Sequence, residues 1–259
     1  MNFFCALVIA AALAALAPGG SASYQRKPAW KPGLRAAIEY ASHRHGAIAF
    51  AVRTRSRFWG WRHAVPFQSA SVVKAMLLVA YLNEPWVRRR PLSPDELRLL
   101  GPMILWSDNR AASRVFAIVG TGRLQLVAYR SNMHHFTPVE GSWSASGITA
   151  ADQTRLFLRI RGLLPLRHRR YAMHLLESII PAQHWGIARV RPPGWKLYFK
   201  GGWTEDPSWI DHQAALLTRG RRSVSIAILT EDNGSHGYGR ATLRGIAARL
   251  LAGLTAAKA

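Results

Sequence analysis

The alternation of apolar and polar positions predicts strands near both ends of the chain. Residues 46–52 and 58–61 are two apolar runs joined by a polar turn, which is the pattern of a β-hairpin. Three further strands are predicted near the other end, at residues 196–200, 211–217 and 223–230. We therefore expect one antiparallel sheet that the two ends of the chain build together.

Between these strands, apolar residues recur at helical spacing. The clearest helix start is at Ser93, where a serine cap, Pro94 and Glu96 stand in the order of a capping box. Other helices are predicted at residues 34–43, 110–119, 121–132, 149–162, 165–180 and 238–254, and one more begins near residue 70. The predicted fold class is α/β (α+β): an antiparallel sheet flanked by helices, with an all-helical subdomain inserted.

The first 23 residues differ from the rest of the chain. They carry no charged side chain, and residues 3–17 form an apolar run that Pro18 ends. Small residues at positions 21–23 follow, so residues 1–23 are predicted to be a secretory signal peptide. An uncleaved membrane anchor is the alternative, because only the amino terminus supplies positive charge before the apolar run. We expect an exported protein, which would be secreted, periplasmic or associated with the cell wall.

The predicted mature chain, residues 24–259, is long enough for one domain. Its α/β part would comprise about residues 24–70 and 195–259, and its helical part about residues 71–194. Cys5 is the only cysteine and lies in the predicted signal, so the mature chain would have neither a disulfide nor a cysteine nucleophile.

The charge balance is strongly basic, with a formal net charge of +22 from 35 Lys and Arg against 13 Asp and Glu. Nucleic acid is the usual partner of such a chain. The predicted export makes acidic cell-wall polymers or anionic lipid the expected partners instead. We expect a monomer that binds no nucleic acid.

The stretch from Pro66 to Leu82 carries the first candidate chemistry. Ser71 and Lys74 are one turn apart in the apolar helix predicted there, so they would share a face. A serine hydroxyl becomes a nucleophile when a base removes its proton, and a lysine can be that base when burial lowers its pKa. This spacing arises by chance about once in a chain of this length, so on the pair alone the preferred interpretation is a serine near a helix start and a snorkelling lysine.

Two further motifs follow in order, Ser107-Asp108-Asn109 and Lys200-Gly201-Gly202. Each has a plain structural explanation: a helix cap for the first, and a strand end with a β-bulge for the second. Together with Ser71-x-x-Lys74, they match the set S-x-x-K, S-D-N and K-T-G closely. On these motifs, their order and the elements around them, the chain resembles the class A β-lactamases and penicillin-binding proteins over nearly all of the predicted mature chain.

The resemblance implies a catalytic role for four residues. Ser71 would be the acylated nucleophile, and Lys74 would take its proton directly or through water. Ser107 would pass a proton to the leaving nitrogen, and Lys200 would supply positive charge beside Ser107 and the substrate carboxylate. Lys200 would also lower the pKa of Lys74 by repulsion between like charges.

The resemblance also implies three substrate-binding positions, Asn109, Gly202 and Trp203. Asn109 would hold an amide carbonyl of the substrate, and the backbone N–H groups of Ser71 and Trp203 would form the oxyanion hole. The chain departs from the family pattern at Gly201, where the family has a Thr or Ser whose hydroxyl helps to bind the substrate carboxylate. Recognition of a penicillin-like acid is therefore an open point.

Two more departures concern the helical part. Ser107 follows Ser71 by 36 residues, a shorter gap than in typical class A enzymes. Those enzymes also use a loop glutamate to activate the water that hydrolyses the acyl-enzyme. Glu140 is the only acid in the predicted loop 133–146, and the E-x-x-L-N context is absent around it. Glu140 is either a deacylation base or a surface carboxylate, and in the second case the acyl-enzyme would hydrolyse slowly.

The predicted function is that of an exported class A β-lactamase-like serine hydrolase, acting through a serine acyl-enzyme on a β-lactam or a peptide amide. A D,D-carboxypeptidase or another hydrolase of peptidoglycan peptides is one alternative, because the glutamate context is absent. A non-catalytic, basic cell-wall-binding protein on the same fold is another. No cofactor is needed, and no metal is predicted because the spacing of the candidate histidines His134, His135, His212 and His236 matches no zinc site.

Overall fold

Strands from both ends of the chain lie in one sheet, as the sequence predicts. The computed structural model describes residues 30–205 and 207–254. Its strands are β1 (Ala47–Arg53), β2 (Phe58–Trp61), β3 (Phe67–Gln68), β4 (Gly147–Ile148), β5 (Lys196–Trp203), β6 (Asp211–Arg219) and β7 (Arg222–Glu231). Five of them form an antiparallel sheet in the order β2-β1-β7-β6-β5, and β3 pairs separately with β4. The predicted hairpin of β1 and β2 and its union with the C-terminal strands are confirmed.

Seven α-helices lie in the described ranges. They are α1 (Leu34–Ser42), α2 (Lys74–Leu82), α3 (Pro94–Leu105), α4 (Asn109–Ser131), α5 (Ala150–Leu163), α6 (Leu166–Glu177) and α7 (His236–Leu250). The capping box at Ser93 is present, and α4 is broken at Gly120, whose φ of 63° is left-handed, where two helices were predicted. The predicted bounds of α7 were wrong by two residues at its start and four at its end. The helix starts earlier because Ser235 caps it and accepts a hydrogen bond from the N–H of Tyr238.

The sheet lies between two layers of helices. β6 and β7 are buried along nearly their whole length, so both of their faces are covered. α7 packs on these strands, and its neighbour α1 contacts α7 and β2. α5 packs on β6, β7 and β1. Along the chain, the helices α2, α3 and α4 follow β3 and precede α5. All nine residues of α2 are buried. A helix that is apolar on every side is expected to be buried in this way, and the predicted α/β class is confirmed.

The predicted signal peptide, residues 1–23, lies outside the described residues. Contacts between Cα atoms divide the chain into residues 1–30 and residues 31–259, and the helices and strands belong to the second unit. The division of the mature chain into α/β and helical parts stays a prediction. No helix within residues 30–205 and 207–254 combines the length and the apolar character that crossing a bilayer requires.

Candidate active site

Ser71 lies in a short 3₁₀ helix, Ala70–Val73, which leads directly into α2. Ala70 has a left-handed φ of 42°, a conformation that is uncommon for residues other than glycine and costs energy. The chain therefore turns sharply just before the serine. Ser71 is buried within the fold, yet it lines a cleft of about 710 Å³, and no described residue hydrogen-bonds its hydroxyl.

Ser69 fixes this turn against the loop that precedes α5. Its backbone N–H donates to the carbonyl of Ser146 at 2.8 Å. Its hydroxyl lies 3.3 Å from the carbonyl oxygen of Trp143 and 3.1 Å from that of Ser144. The loop and the start of the serine helix are thereby held as one wall of the cleft.

Lys74 is the first residue of α2 and is completely buried. Its Nζ donates to the Ser107 carbonyl at 2.5 Å, to Asn109 Oδ1 at 2.7 Å and to Ser107 Oγ at 3.2 Å. Burial lowers the pKa of Lys74 to about 7, although the negative charge of Asp108 opposes the shift. A substantial part of the Lys74 population is therefore neutral near pH 7 and able to accept a proton.

Lys200 reaches the same serine from the sheet. It is completely buried in β5, and its Nζ donates to Ser107 Oγ at 3.1 Å and to the carbonyl of Gly201 at 2.8 Å. Burial, with the positive charge of Lys74 as a second cause, lowers the pKa of Lys200 well below its ordinary value. The hydroxyl of Ser107 thus lies between the Nζ atoms of the two lysines.

Backbone geometry presents Ser107 to both lysines. Ser107 has a left-handed φ of 61°, and Asp108 caps α4 by accepting a hydrogen bond from the N–H of Ala111 at 2.7 Å. The interpretation of Asp108 as the residue that ties down this turn is confirmed. The turn places the side-chain oxygens of Ser107 and Asn109 within hydrogen-bonding distance of Lys74 Nζ.

Gly202 brings the sheet against the serine helix. A Cβ atom at Gly202 would lie 2.8 Å from the backbone nitrogens of Ser71 and Val72, which is closer than atoms can approach. Only a glycine therefore allows β5 to pass this close. The ladder with β6 runs without a break from Lys196 to Trp203, so the β-bulge considered for this motif is absent. Trp203 follows and lines the cleft.

A sequence model of the beta-lactamase enzyme family matches residues 91–254. The chain belongs to this beta-lactamase family. Solved structures with the same fold include a beta-lactamase from Sphaerobacter thermophilus, with 16% identity and a TM-score of 0.72, covering 86% of this chain and 98% of the other. A class A beta-lactamase from Mycobacterium abscessus has 18% identity and a TM-score of 0.68, covering 85% and 98%. A search of curated proteins finds no match.

Glu140 lies apart from the cluster that the motif residues form. Glu140 lies on the exposed rim of the cleft, where its Oε2 accepts a hydrogen bond from Thr121 Oγ1 at 2.8 Å. Within the described residues, the hydrogen-bond acceptors around Lys74 belong to Ser107 and Asn109, and none is a carboxylate. The structure thus brings Ser107, Asn109 and Lys200 together around Lys74, but leaves Glu140 outside that cluster.

Two tryptophans that the motifs did not indicate shape this site. The ring of Trp143 lies 4.8 Å from Lys74 Nζ, and its Nε1 donates to Ser113 Oγ at 3.1 Å. Trp185 occupies the space beside Gly201, because a Cβ there would lie 3.1 Å from its ring. Any side chain at position 201 would therefore require the ring of Trp185 to shift by a few tenths of an ångström. Tryptophan carries no local signal of such roles, and only the folded chain identifies them.

The candidate histidines do not gather around a metal. No group of three or more potential metal-binding side chains occurs in the part of the chain that the structure describes. His212 is completely buried under the serine turn: the N–H of Thr230 donates to its Nδ1, and its Nε2 lies 3.0 Å from the carbonyl of Gln68. Burial lowers the pKa of His212 to about 4, so the imidazole is neutral near pH 7. It stabilises the turn through its hydrogen bond to Gln68.

Proposed function

We propose that the protein is a serine hydrolase that attacks an amide, either a β-lactam or a peptide amide, through an acyl-enzyme on Ser71. The observation that carries this proposal is the pair of buried lysines whose Nζ atoms share Ser107 beside the Ser71 cleft. Burying two cations together costs free energy that a purely structural arrangement would avoid. Lysines with strongly lowered pKa values are typical of catalytic sites.

The proposed reaction begins with a neutral Lys74. Lys74 takes the proton of Ser71 Oγ, directly or through a water, and Oγ adds to the carbonyl carbon of the substrate. The N–H groups of Ser71 and Trp203 stabilise the oxyanion. Ser107 then delivers its proton to the leaving nitrogen and takes up the proton that Lys74 received from Ser71, across their hydrogen bond of 3.2 Å. The C–N bond breaks, an ester on Ser71 remains, and Lys74 is neutral again. Water hydrolyses this ester and restores the serine.

Slow hydrolysis of the ester is part of the proposal. No described carboxylate hydrogen-bonds Lys74, and Glu140 is bonded to Thr121 on the exposed rim. A β-lactam would therefore be bound covalently more readily than it is cleared. The same absence of a described carboxylate hydrogen-bonded to Lys74 favours the second candidate function, hydrolysis of a cell-wall peptide, over rapid hydrolysis of β-lactams.

Intact-mass spectrometry of the purified protein with a penicillin, followed over time, tests the acyl-enzyme. We expect an adduct of one penicillin that persists, and we expect none with Ser71→Ala. Ser142→Ala is the matched control, since Ser142 also lines the cleft and has no proposed role. A transient adduct with rapid loss of the drug would show efficient deacylation. Neither adduct nor drug loss would exclude β-lactams and leave the peptide substrate or the non-catalytic cell-wall-binding protein.

Export is proposed from residues 1–23, together with the family. We expect the mass of the protein recovered from a bacterial periplasm or culture medium to lack this segment. Recovery of the intact chain from the membrane fraction would support the uncleaved anchor instead.

A further inference from the structure

A second large cavity lies at the far end of the sheet from the serine cleft. Its volume is about 700 Å³, nearly that of the cleft and within the range of ligand pockets. Its walls come from the ends of α4 and α5, from α6 and from the β6–β7 turn. β6 meets the cleft side at His212, which pairs with Gly202, and lines this cavity at Thr218, so roughly 20 Å of strand separates the two sites.

Five arginines line this second cavity, and none of its lining residues is acidic. They are Arg55, Arg130, Arg159, Arg161 and Arg169, and we refer to the site as the arginine cavity. None of the five forms an ion pair with a described residue. Other arginines of the chain do so, since Arg123 pairs with Glu84 at 2.9 Å and Arg155 with Asp152 at 3.1 Å.

Helix dipoles account for only part of this cluster. Arg130 and Arg161 lie in the last turns of α4 and α5, where a cation is favourable. Arg55 lies in the β1–β2 turn, and Arg169 lies near the start of α6, where the dipole disfavours positive charge. The Nε of Arg169 is buried without a hydrogen-bond partner, and its Nη2 reaches only the carbonyl of Leu164 at 3.3 Å.

Electrostatic repulsion by arginines of this region also acts on the neighbouring Arg53. Burial, Arg155 and Arg159 together lower the pKa of Arg53, although Asp152 opposes them. A guanidinium keeps its proton under ordinary conditions. The cluster therefore cannot relieve its repulsion by losing a proton, and a bound anion would stabilise it.

The shape and the donors indicate the class of anion. A guanidinium presents paired N–H donors that match two oxygens of a phosphate. Because the five arginines come from several elements, a ligand that contacts all of them needs several anionic groups. The cavity is concave, so it accepts a flexible chain better than a flat membrane surface. We propose that the arginine cavity binds a linear polymer with repeated phosphate groups, independently of the chemistry at Ser71.

Titration of the purified protein with short inorganic polyphosphate tests this proposal. We expect saturable binding that weakens as salt is added. The triple variant Arg55→Gln, Arg130→Gln, Arg159→Gln should raise the Kd at least about tenfold, because three charge-assisted contacts are lost. All three side chains are exposed, so the fold should be kept, and unchanged thermal unfolding checks this. Arg159→Gln alone should act in the same direction with a smaller effect.

The matched control is the triple variant Arg35→Gln, Arg89→Gln, Arg167→Gln, which has the same net charge and alters exposed arginines outside the cavity. Its Kd should stay within about threefold of the original value. An equal loss in both triple variants would mean binding by overall charge and would overturn the proposal, as would the absence of polyphosphate binding. Binding to phosphatidylglycerol vesicles without binding to polyphosphate would overturn it in favour of a membrane surface. Ser71→Ala should bind polyphosphate normally, so failure of this proposal is distinct from failure of the acyl-enzyme.

Discussion

The serine cleft and the arginine cavity both concentrate positive charge, but they do so in opposite ways. Beside the cleft, Lys74 and Lys200 are completely buried and hydrogen-bond one serine, and burial lowers both pKa values. The arginine cavity holds arginine side chains that are largely exposed and form no ion pair with a described residue. A lysine can lose its charge when it is buried and so act as a base, whereas an arginine keeps its charge and attracts anions. Residue type and burial together therefore distinguish the proposed catalytic cluster from the proposed binding cluster.

The largest effect is expected from Lys74→Met, which removes the proposed base while keeping an unbranched side chain. The rate of acylation by a penicillin should fall about 10²–10⁴-fold. In the unmodified protein this rate should rise with pH through about 7, as Lys74 loses its proton, and the variant should lack this rise. Acylation rates from mass spectrometry over a pH series measure both quantities. Arg159→Met should leave the pH profile unchanged, and an unchanged profile in Lys74→Met would refute the role of base.

Lys200→Met should stabilise the protein, and more so at low pH. The pKa of Lys200 is lower in the folded protein than in the unfolded chain. At pH values between these two pKa values, the folded state binds fewer protons than the unfolded state, so the free energy of unfolding rises with pH. Below that range the full cost of a buried cation remains. The variant should gain about 1–4 kcal/mol at low pH and progressively less as pH approaches 10.5. Denaturant unfolding at several pH values measures this difference, and Arg161→Met should show none of this pH dependence.

Gly202→Ala should destabilise the protein by about 1–3 kcal/mol and slow acylation, because its Cβ must displace the backbone at Ser71 and Val72. Gly101→Ala, in α3, is the control: its Cβ meets nothing within 4 Å, so the helix should gain up to about 1 kcal/mol. Thermal unfolding and the acylation rate are measured for both variants. Equal stability of Gly202→Ala and the parent would contradict the close approach of β5 to the serine helix.

Glu140→Gln should have the smallest effect. An exposed rim carboxylate contributes little, so the rate at which the penicillin adduct disappears should change by less than about twofold. The time course of adduct loss gives this rate directly. A decrease of about 10²-fold would instead identify Glu140 as the deacylation base and would weaken the case for a slow acyl-enzyme.

The sequence predicted the framework of the fold because that framework has local signals. The strands have apolar runs, α3 has a capping box at Ser93, and the break in α4 has a glycine at position 120. The grouping of Lys74, Ser107 and Lys200 was predicted from the resemblance, since their separations along the chain carry no distance information. Their catalytic roles stay predictions.

The features that were missed depend on contacts between distant segments. Trp185 fills the space beside Gly201, and Trp143 faces Lys74, although neither lies near its partner in sequence. The arginine cavity likewise unites five arginines that lie between position 55 and position 169. In a chain with 35 Lys and Arg, no local pattern singles out those five.

The pairing of β1 with β7 has a consequence for the time at which the fold forms. Ala47 lies opposite Glu231, and Arg53 opposite Ser225, so the sheet closes only when nearly the whole chain is present. Contacts of such long range make folding slow. During synthesis, β7 leaves the ribosome more than 170 residues after β1. Until then, β2 is the strand of this sheet with which β1 can pair. The five-stranded sheet therefore cannot be completed until synthesis is almost finished.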